Sequence, residues 1–178
     1  MNTLNHHQVL IKLFKEHFGA RDNVIGMEIG TFCGDSARAI LWTLPNCSTL
    51  YSIDPWKHFD KKQFEAGEQQ PYHDRNKALA LSKFEAPDIK GRIVQLEMTS
   101  VEAYDILKDK QLDFVWIDGS HEGVDFKKDI EMYEPLVKEG GIFGGHDFGQ
   151  VPEVTDIVFK TFDKVLWSGN DYTWWVLK

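Results

Sequence analysis

The sequence predicts a single doubly wound α/β domain: a mostly parallel sheet with helices on both faces, finished by an antiparallel C-terminal strand. Three observations predict it. Short apolar runs alternate with helical patterns along most of the chain, and a turn holding Gly30 and Gly34 follows the first of those runs. The last two apolar segments are joined through Ser168-Gly169-Asn170-Asp171, a hairpin signal. With 178 residues, 42% of them hydrophobic, the chain has material for one substantial core and little room for two.

The elements follow in order. Val9, Leu10, Leu13, Phe14 and Phe18 recur at helical spacing, so residues 1–19 hold an N-terminal amphipathic helix ended by Gly19. The first strand is 24–29, and a helix starting at Asp35 or Ser36 runs to about Thr43 before Pro45 stops it. The second strand is 49–53. Residues 57–72 are polar and poorly periodic, and read either as a lid or as a plain surface loop ahead of a helical pattern near 76–84. Strands three, four and five are 93–96, 114–117 and 142–145. A helix within 124–137 carries the apolar stripe Phe126, Ile130, Tyr133 and Val137, while Asp125, Lys128, Asp129 and Glu131 read as its solvated face. A helix near 154–162 leads to the terminal hairpin of 164–167 and 172–177, whose Trp167, Trp174 and Trp175 are expected in the core and on the sheet face.

Composition excludes some partners. Lys and Arg number 20 against 28 Asp and Glu, a net charge of −8, which repels nucleic-acid phosphates and anionic lipid. No stretch reaches the roughly 20 apolar residues of a membrane span, and the start lacks a basic and apolar leader pattern, so the expectation is a cytoplasmic protein. Cys33 and Cys47 lack metal or redox spacing and read as reduced, buried thiols.

Glu28-Ile29-Gly30-Thr31-Phe32-Cys33-Gly34-Asp35-Ser36 sits where the first strand turns into its helix, the place where open parallel sheets bind ligands. Gly30 permits the bend, Gly34 permits close approach of a ligand, and Ser36 at a helix N-terminus can hold a carboxylate. The glycines stand four apart after an acidic residue, unlike the Gly-x-Gly-x-x-Gly dinucleotide pattern, which favours S-adenosylmethionine (SAM) over NAD in a Rossmann-like sheet. Asp54, one residue past the second strand, can accept hydrogen bonds from ribose hydroxyls, with Pro55 and Trp56 shaping the wall. Met98 and Ser100 read either as flanking adenine or as a buried Met and a helix-capping Ser.

The same motif, continued by Ala37, closely resembles the first motif of the catechol and caffeoyl-CoA O-methyltransferases. Asp118-Gly119-Ser120-His121 and the string from Tyr133-Glu134-Pro135-Leu136 through Gly140-Gly141 to Gly145-His146-Asp147 resemble a bacterial group of small class I enzymes that methylate macrolide and aminocoumarin sugars. The resemblance spans about residues 24–148. It implies the class I methyltransferase architecture, SAM bound by Glu28, Gly30, Thr31, Gly34, Ser36, Asp54, Met98, Ser100 and Asp118, and methyl transfer to a hydroxyl of a sugar- or polyol-like small molecule. On that resemblance His121 is the general base, suited to neutral pH, and Asp118 is catalytic as well as a metal ligand. His146 and Asp147 match the remaining ligands of a divalent ion, magnesium or manganese.

His146 departs from the carboxylate usual there, and imidazole is a poor magnesium ligand. Three uses stay open: a manganese-like site, a weakened magnesium site, or a metal-free site in which His146 assists His121. His121 could otherwise cap a helix, and His6, His7, His17, His58 and His73 read as ordinary polar residues. Two further functions compete, a non-catalytic SAM-sensing domain and an NAD-dependent oxidoreductase, and a homo-oligomer is left open.

Overall fold

The computed structural model describes residues 7–57 and 69–178. Its elements in chain order are α1 (Gln8–Phe18), β1 (Val24–Ile29), α2 (Asp35–Thr43), β2 (Cys47–Ile53), α3 (Gln70–Phe84), β3 (Ile93–Leu96), α4 (Ser100–Leu107), β4 (Leu112–Ile117), α5 (Gly123–Tyr133), β5 (Val137–Gly145), α6 (Pro152–Thr161), β6 (Leu166–Ser168) and β7 (Thr173–Leu177). The seven strands form one sheet in the order β3-β2-β1-β4-β5-β7-β6. β1 to β5 run parallel, and β7 joins β5 antiparallel with β6 on its outer side. The predicted fold class, a mostly parallel sheet flanked by helices with an antiparallel C-terminal strand, is met.

Each face of the sheet has its own core. Val115 and Ile117 of β4 pack with Ala103 and Leu107 of α4, Phe126, Ile130 and Tyr133 of α5, and Val154 and Val158 of α6. Phe114 and Trp116, the alternate residues, pack with Leu10, Phe14 and Phe18 of α1, Ile40 of α2 and Ala80 of α3. Side chains along a strand point alternately to opposite faces, so a strand covered on both is mostly apolar; every residue of β4 is buried, and its one acid, Asp113, accepts from the Ile25 N–H at 2.8 Å and pairs with Lys138. Phe14 sits 4.6 Å, centroid to centroid, from Phe114, which anchors the N-terminal helix to the sheet.

The chain order makes a switch point. From β1 the chain winds outward through β2 to β3, then α4 carries it back to β4 on the other side of β1. The carboxyl ends of β1 and β4 therefore face a crevice that no crossover covers.

Several boundaries differ from the sequence reading. β2 begins at Cys47 and β4 at Leu112, two residues before the expected starts. Val137 belongs to β5, where it pairs with Leu112; Pro135 lies in a 3₁₀ turn, Glu134–Leu136, that separates α5 from the strand. α3 starts at Gln70, with Pro71 in its first turn where a missing N–H costs nothing. α4 is capped by Thr99, which exchanges hydrogen bonds with Glu102 in a capping box, and Ser100 is the first helical residue rather than the cap. Trp174 is buried, but Trp167 is 56% exposed on the edge strand, where only one neighbour covers it. Of the proposed lid, residues 58–68 lie outside the described residues, and its end, residues 70–72, begins α3. Among the described residues no helix is long and apolar enough to cross a membrane.

Candidate active site

Gly30 ends β1 with φ +92°, its N–H bonded to the carbonyl of Ile53 at 2.9 Å. A Cβ here would lie 2.0 Å from the carbonyl oxygen of Asp118, so β1 and β4 approach this closely only with glycine. Beyond it the turn is held by Asp54. Its Oδ2 accepts from the N–H of Phe32 at 2.7 Å and its Oδ1 from the N–H of Trp56 at 2.7 Å, while the Trp56 indole N–H donates to the Phe32 carbonyl at 2.6 Å. Each carboxylate oxygen keeps a lone pair for a ligand. Thr31 and Ser52 share a hydroxyl hydrogen bond of 2.5 Å under the turn.

Along the carboxyl ends of these strands runs a cavity of about 770 Å³. Gly30, Thr31, Ser36, Asp54, Ser100, Asp118, His121 and Asp147 of the predicted residues line it, as do Pro55 and Trp56.

Four predicted residues stand elsewhere. Gly34 has φ +78° and caps α2, and its would-be Cβ faces Phe84 and Ala80 of α3 at 3.0 and 3.2 Å, so it serves a left-handed cap and helix packing rather than approach of a ligand. Met98 packs into the core under β3 instead of the cavity wall. Glu28 is wholly buried behind the wall, with neither carboxylate oxygen in a well-formed hydrogen bond. Burial raises its pKa to about 8, the Ser36 hydroxyl opposing and the charges of Asp118 and Asp54 adding to the rise. His146 does not line the cavity, although it belongs to the acid–base cluster beside it.

That cluster joins the ends of β4 and β5. His121 Nε2 lies 2.8 Å from Asp147 Oδ2; His146 Nδ1 lies 3.2 Å from Asp147 Oδ1 and 3.8 Å from Asp118 Oδ1. Asp147 adopts φ +66°, a left-handed backbone that Asp tolerates better than most side chains, and this turns its carboxylate between the two imidazoles. Burial would raise the Asp147 carboxyl, but the hydrogen bonds from His121 and His146 override it and hold the group well below the usual range. The hydrogen bond to Asp147 raises the His121 imidazole. Burial pushes Asp118 up to about 6, against the pull of His146 and His121.

A divalent ion has one candidate position among the described residues. One ligand atom each from Asp118, His121 and Asp147 can be chosen so that all lie within 4.8 Å of one another. Two carboxylate oxygens and one imidazole nitrogen fit an ion that accepts both donor types, as manganese does. His146, the ligand expected from the sequence, is outside this group, and His121, expected as the base, is within it.

Sequence reasoning missed other residues of the wall. His7 and His73, read as ordinary polar residues, both line the cavity, as does Cys33, which is half-buried where full burial was expected. Asp125, Lys128 and Asp129 line it too, and Asp129 is only 3% exposed, which overturns its placement on a solvated face. The signal was present: Asp129 lies three residues after Phe126 and four before Tyr133, on the buried stripe.

A family model described as a methyltransferase domain matches residues 27–148. No curated protein matches the sequence. Among solved structures, the O-methyltransferase from Bacillus cereus in complex with S-adenosylhomocysteine (SAH) superposes with a TM-score of 0.67 at 15% identity, covering 100% of this chain and 82% of that one. The O-methyltransferase TomG from Streptomyces achromogenes, solved with SAM, gives 0.66 at 15% identity over 98% of this chain and 87% of that one. The O-methyltransferase NovP gives 0.67 at 17% identity over 97% and 79%. At these identities the likeness is one of fold.

Proposed function

The chain belongs to the methyltransferase-domain family, and from that premise we propose that it moves the methyl group of SAM onto a hydroxyl of a small, sugar- or polyol-like molecule, with His121 as the base. The observation that carries this reading is that the His121–Asp147 pair opens onto the same cavity as the Gly30 turn and Asp54. Donor site and proton acceptor then face one space. The neighbours solved with SAM and SAH add support.

When bound, SAM supplies an electrophilic methyl carried on sulfur; transfer to oxygen breaks the C–S bond, forms a C–O bond and leaves SAH and one proton. This chain's residues do the rest. Ser36 and the N-terminal amides of α2 receive the carboxylate of the donor. Asp118 faces its ammonium, Asp54 its ribose hydroxyls and Ser100 its adenine side, all three from the cavity wall; Glu28, expected from the sequence to bind the donor, lies behind that wall. His121 takes the hydroxyl proton on Nδ1, the ring nitrogen that does not face Asp147, and Asp147 orients the imidazole through Nε2 and balances the charge it gains.

A divalent ion, if used, would be held by Asp118, His121 and Asp147 and would supply polarisation of the acceptor hydroxyl. Under that second reading, which the closeness of the three groups favours, His121 is a ligand and cannot also be the base.

Thermal unfolding tests the donor. SAM or SAH at 100 times its dissociation constant should stabilise the fold by about 2.7 kcal/mol, and NAD should not. His121→Ala should abolish turnover and leave that shift intact. A shift with NAD alone would return the oxidoreductase; a SAM shift without turnover on any hydroxyl acceptor would return the sensing domain.

A further inference from the structure

We propose that Asp129 selects the nucleobase of the donor, its carboxylate accepting from the 6-amino group of adenine. This deepens the reading of the cavity as a SAM site and rests on it.

The order of groups along the sheet edge places the base. The acid–base cluster stands at the ends of β4 and β5, and Asp54 at the end of β2. A ligand whose reacting group meets His121 and whose ribose meets Asp54 has its base left for the wall built from the start of α4 and the inner side of α5. That wall holds Thr99, Ser100 and Val101 from one helix and Asp125, Lys128 and Asp129 from the other. Val101, 44% exposed, offers an apolar surface to a ring.

Asp129 is the buried acid of that wall. The Ser100 side chain beside it opposes the rise that burial imposes on its carboxyl, and one turn later the Tyr133 hydroxyl donates to the Ser100 carbonyl at 2.6 Å. Tyr133 thus fixes the Ser100 backbone, and its ring is itself wedged edge-on against Tyr104 at 5.6 Å. An ionised carboxylate accepts at about four positions, so Asp129 on the cavity wall has room to accept from a ligand besides its neighbour Ser100. Burying a carboxylate with capacity unused is costly, and burial accordingly lifts Asp129 to about 6. A ligand that brings an N–H₂ group to the wall relieves that cost. An amino group at position 6 donates and fits; an oxygen there only accepts, and faces the carboxylate lone pairs.

The experiment measures binding of SAH and of its 6-oxo analogue, S-inosylhomocysteine, by calorimetry to the wild-type chain and to Asp129→Asn and Asp129→Ser. The wild type should favour the amino form by at least about tenfold, the scale of one mispaired buried hydrogen bond. In both variants that ratio should shrink to within about threefold, because a neutral side chain no longer repels the oxygen. Equal affinity of the wild type for the two ligands overturns the proposal. So does an unchanged ratio in either variant, which is what a purely structural Asp129 would give, both ligands weakening together. Absence of SAH binding to the wild type would instead remove the SAM reading itself.

Discussion

His121 and Asp147 meet across the ends of β4 and β5, imidazole Nε2 to carboxylate Oδ2 at 2.8 Å, on the open side of the cavity. A carboxylate so placed fixes the tautomer of its histidine: the nitrogen facing Asp147 carries the hydrogen when the ring is neutral, unless an acceptor molecule or ion intervenes.

Replacing His121 by Ala should lower kcat by about 10²–10⁴-fold, the usual contribution of a positioned base. Asp147→Asn should cost less in kcat and bring the His121 imidazole down toward its ordinary range, since the hydrogen bond to Asp147 is the main reason it is raised. NMR titration of the imidazole checks the second statement; a midpoint unmoved by the substitution would sever the link between the two residues.

Manganese binding, read by electron paramagnetic resonance, should disappear in Asp118→Asn. In His146→Ala it should weaken by no more than about 10–100-fold, as for a residue that supports a ligand without being one. Complete loss in His146→Ala would restore His146 as a ligand and displace His121 from the metal.

Glu28 makes stability depend on pH in a stated direction. Its folded pKa of about 8 lies above the ordinary 4.5, so the folded state binds its proton more tightly than the unfolded chain does. The stability this lends is complete below the ordinary value and is lost as pH rises through the folded one. Glu28→Gln should therefore melt higher than the wild type at pH 8, with the advantage shrinking toward pH 5. Each kcal/mol gained should appear as about 2–4 °C. An equal melting difference at both pH values would contradict the assignment.

The two glycines of the first turn should separate by substitution. Gly30→Ala puts a methyl group 2.0 Å from the Asp118 carbonyl and should prevent folding or destabilise by more than about 3 kcal/mol. Gly34→Ala meets side chains of α3 at 3.0 Å and beyond and should cost about 1–2 kcal/mol for its left-handed backbone. Urea unfolding measures both, and a large loss of SAM affinity in a folded Gly34→Ala would show that the ligand does approach Gly34.

What could be read from the sequence was what is local. The order of strands and helices and the bend at Gly30 follow from periodicity and from glycine, which act over a few residues. Val137 misled because four residues from Tyr133 is helical spacing, and only pairing with Leu112, far away in the chain, makes it a strand residue. The Thr99 cap was legible in Thr99-Ser100-Val101-Glu102 and was misplaced by one position. His7 and His73 reach the cavity through the packing of α1 and α3, which no local pattern encodes. The meeting of His121 and His146 on Asp147 depends on the backbone of Asp147, a dihedral angle rather than a residue type.

That dihedral angle narrows what heredity can write at position 147. Glycine would accept the left-handed bend but has no charge; glutamate has the charge but resists the bend; asparagine accepts the bend and is neutral. Two unrelated demands intersect on aspartate alone, so a variant gene that alters this codon has no near-synonym to fall back on.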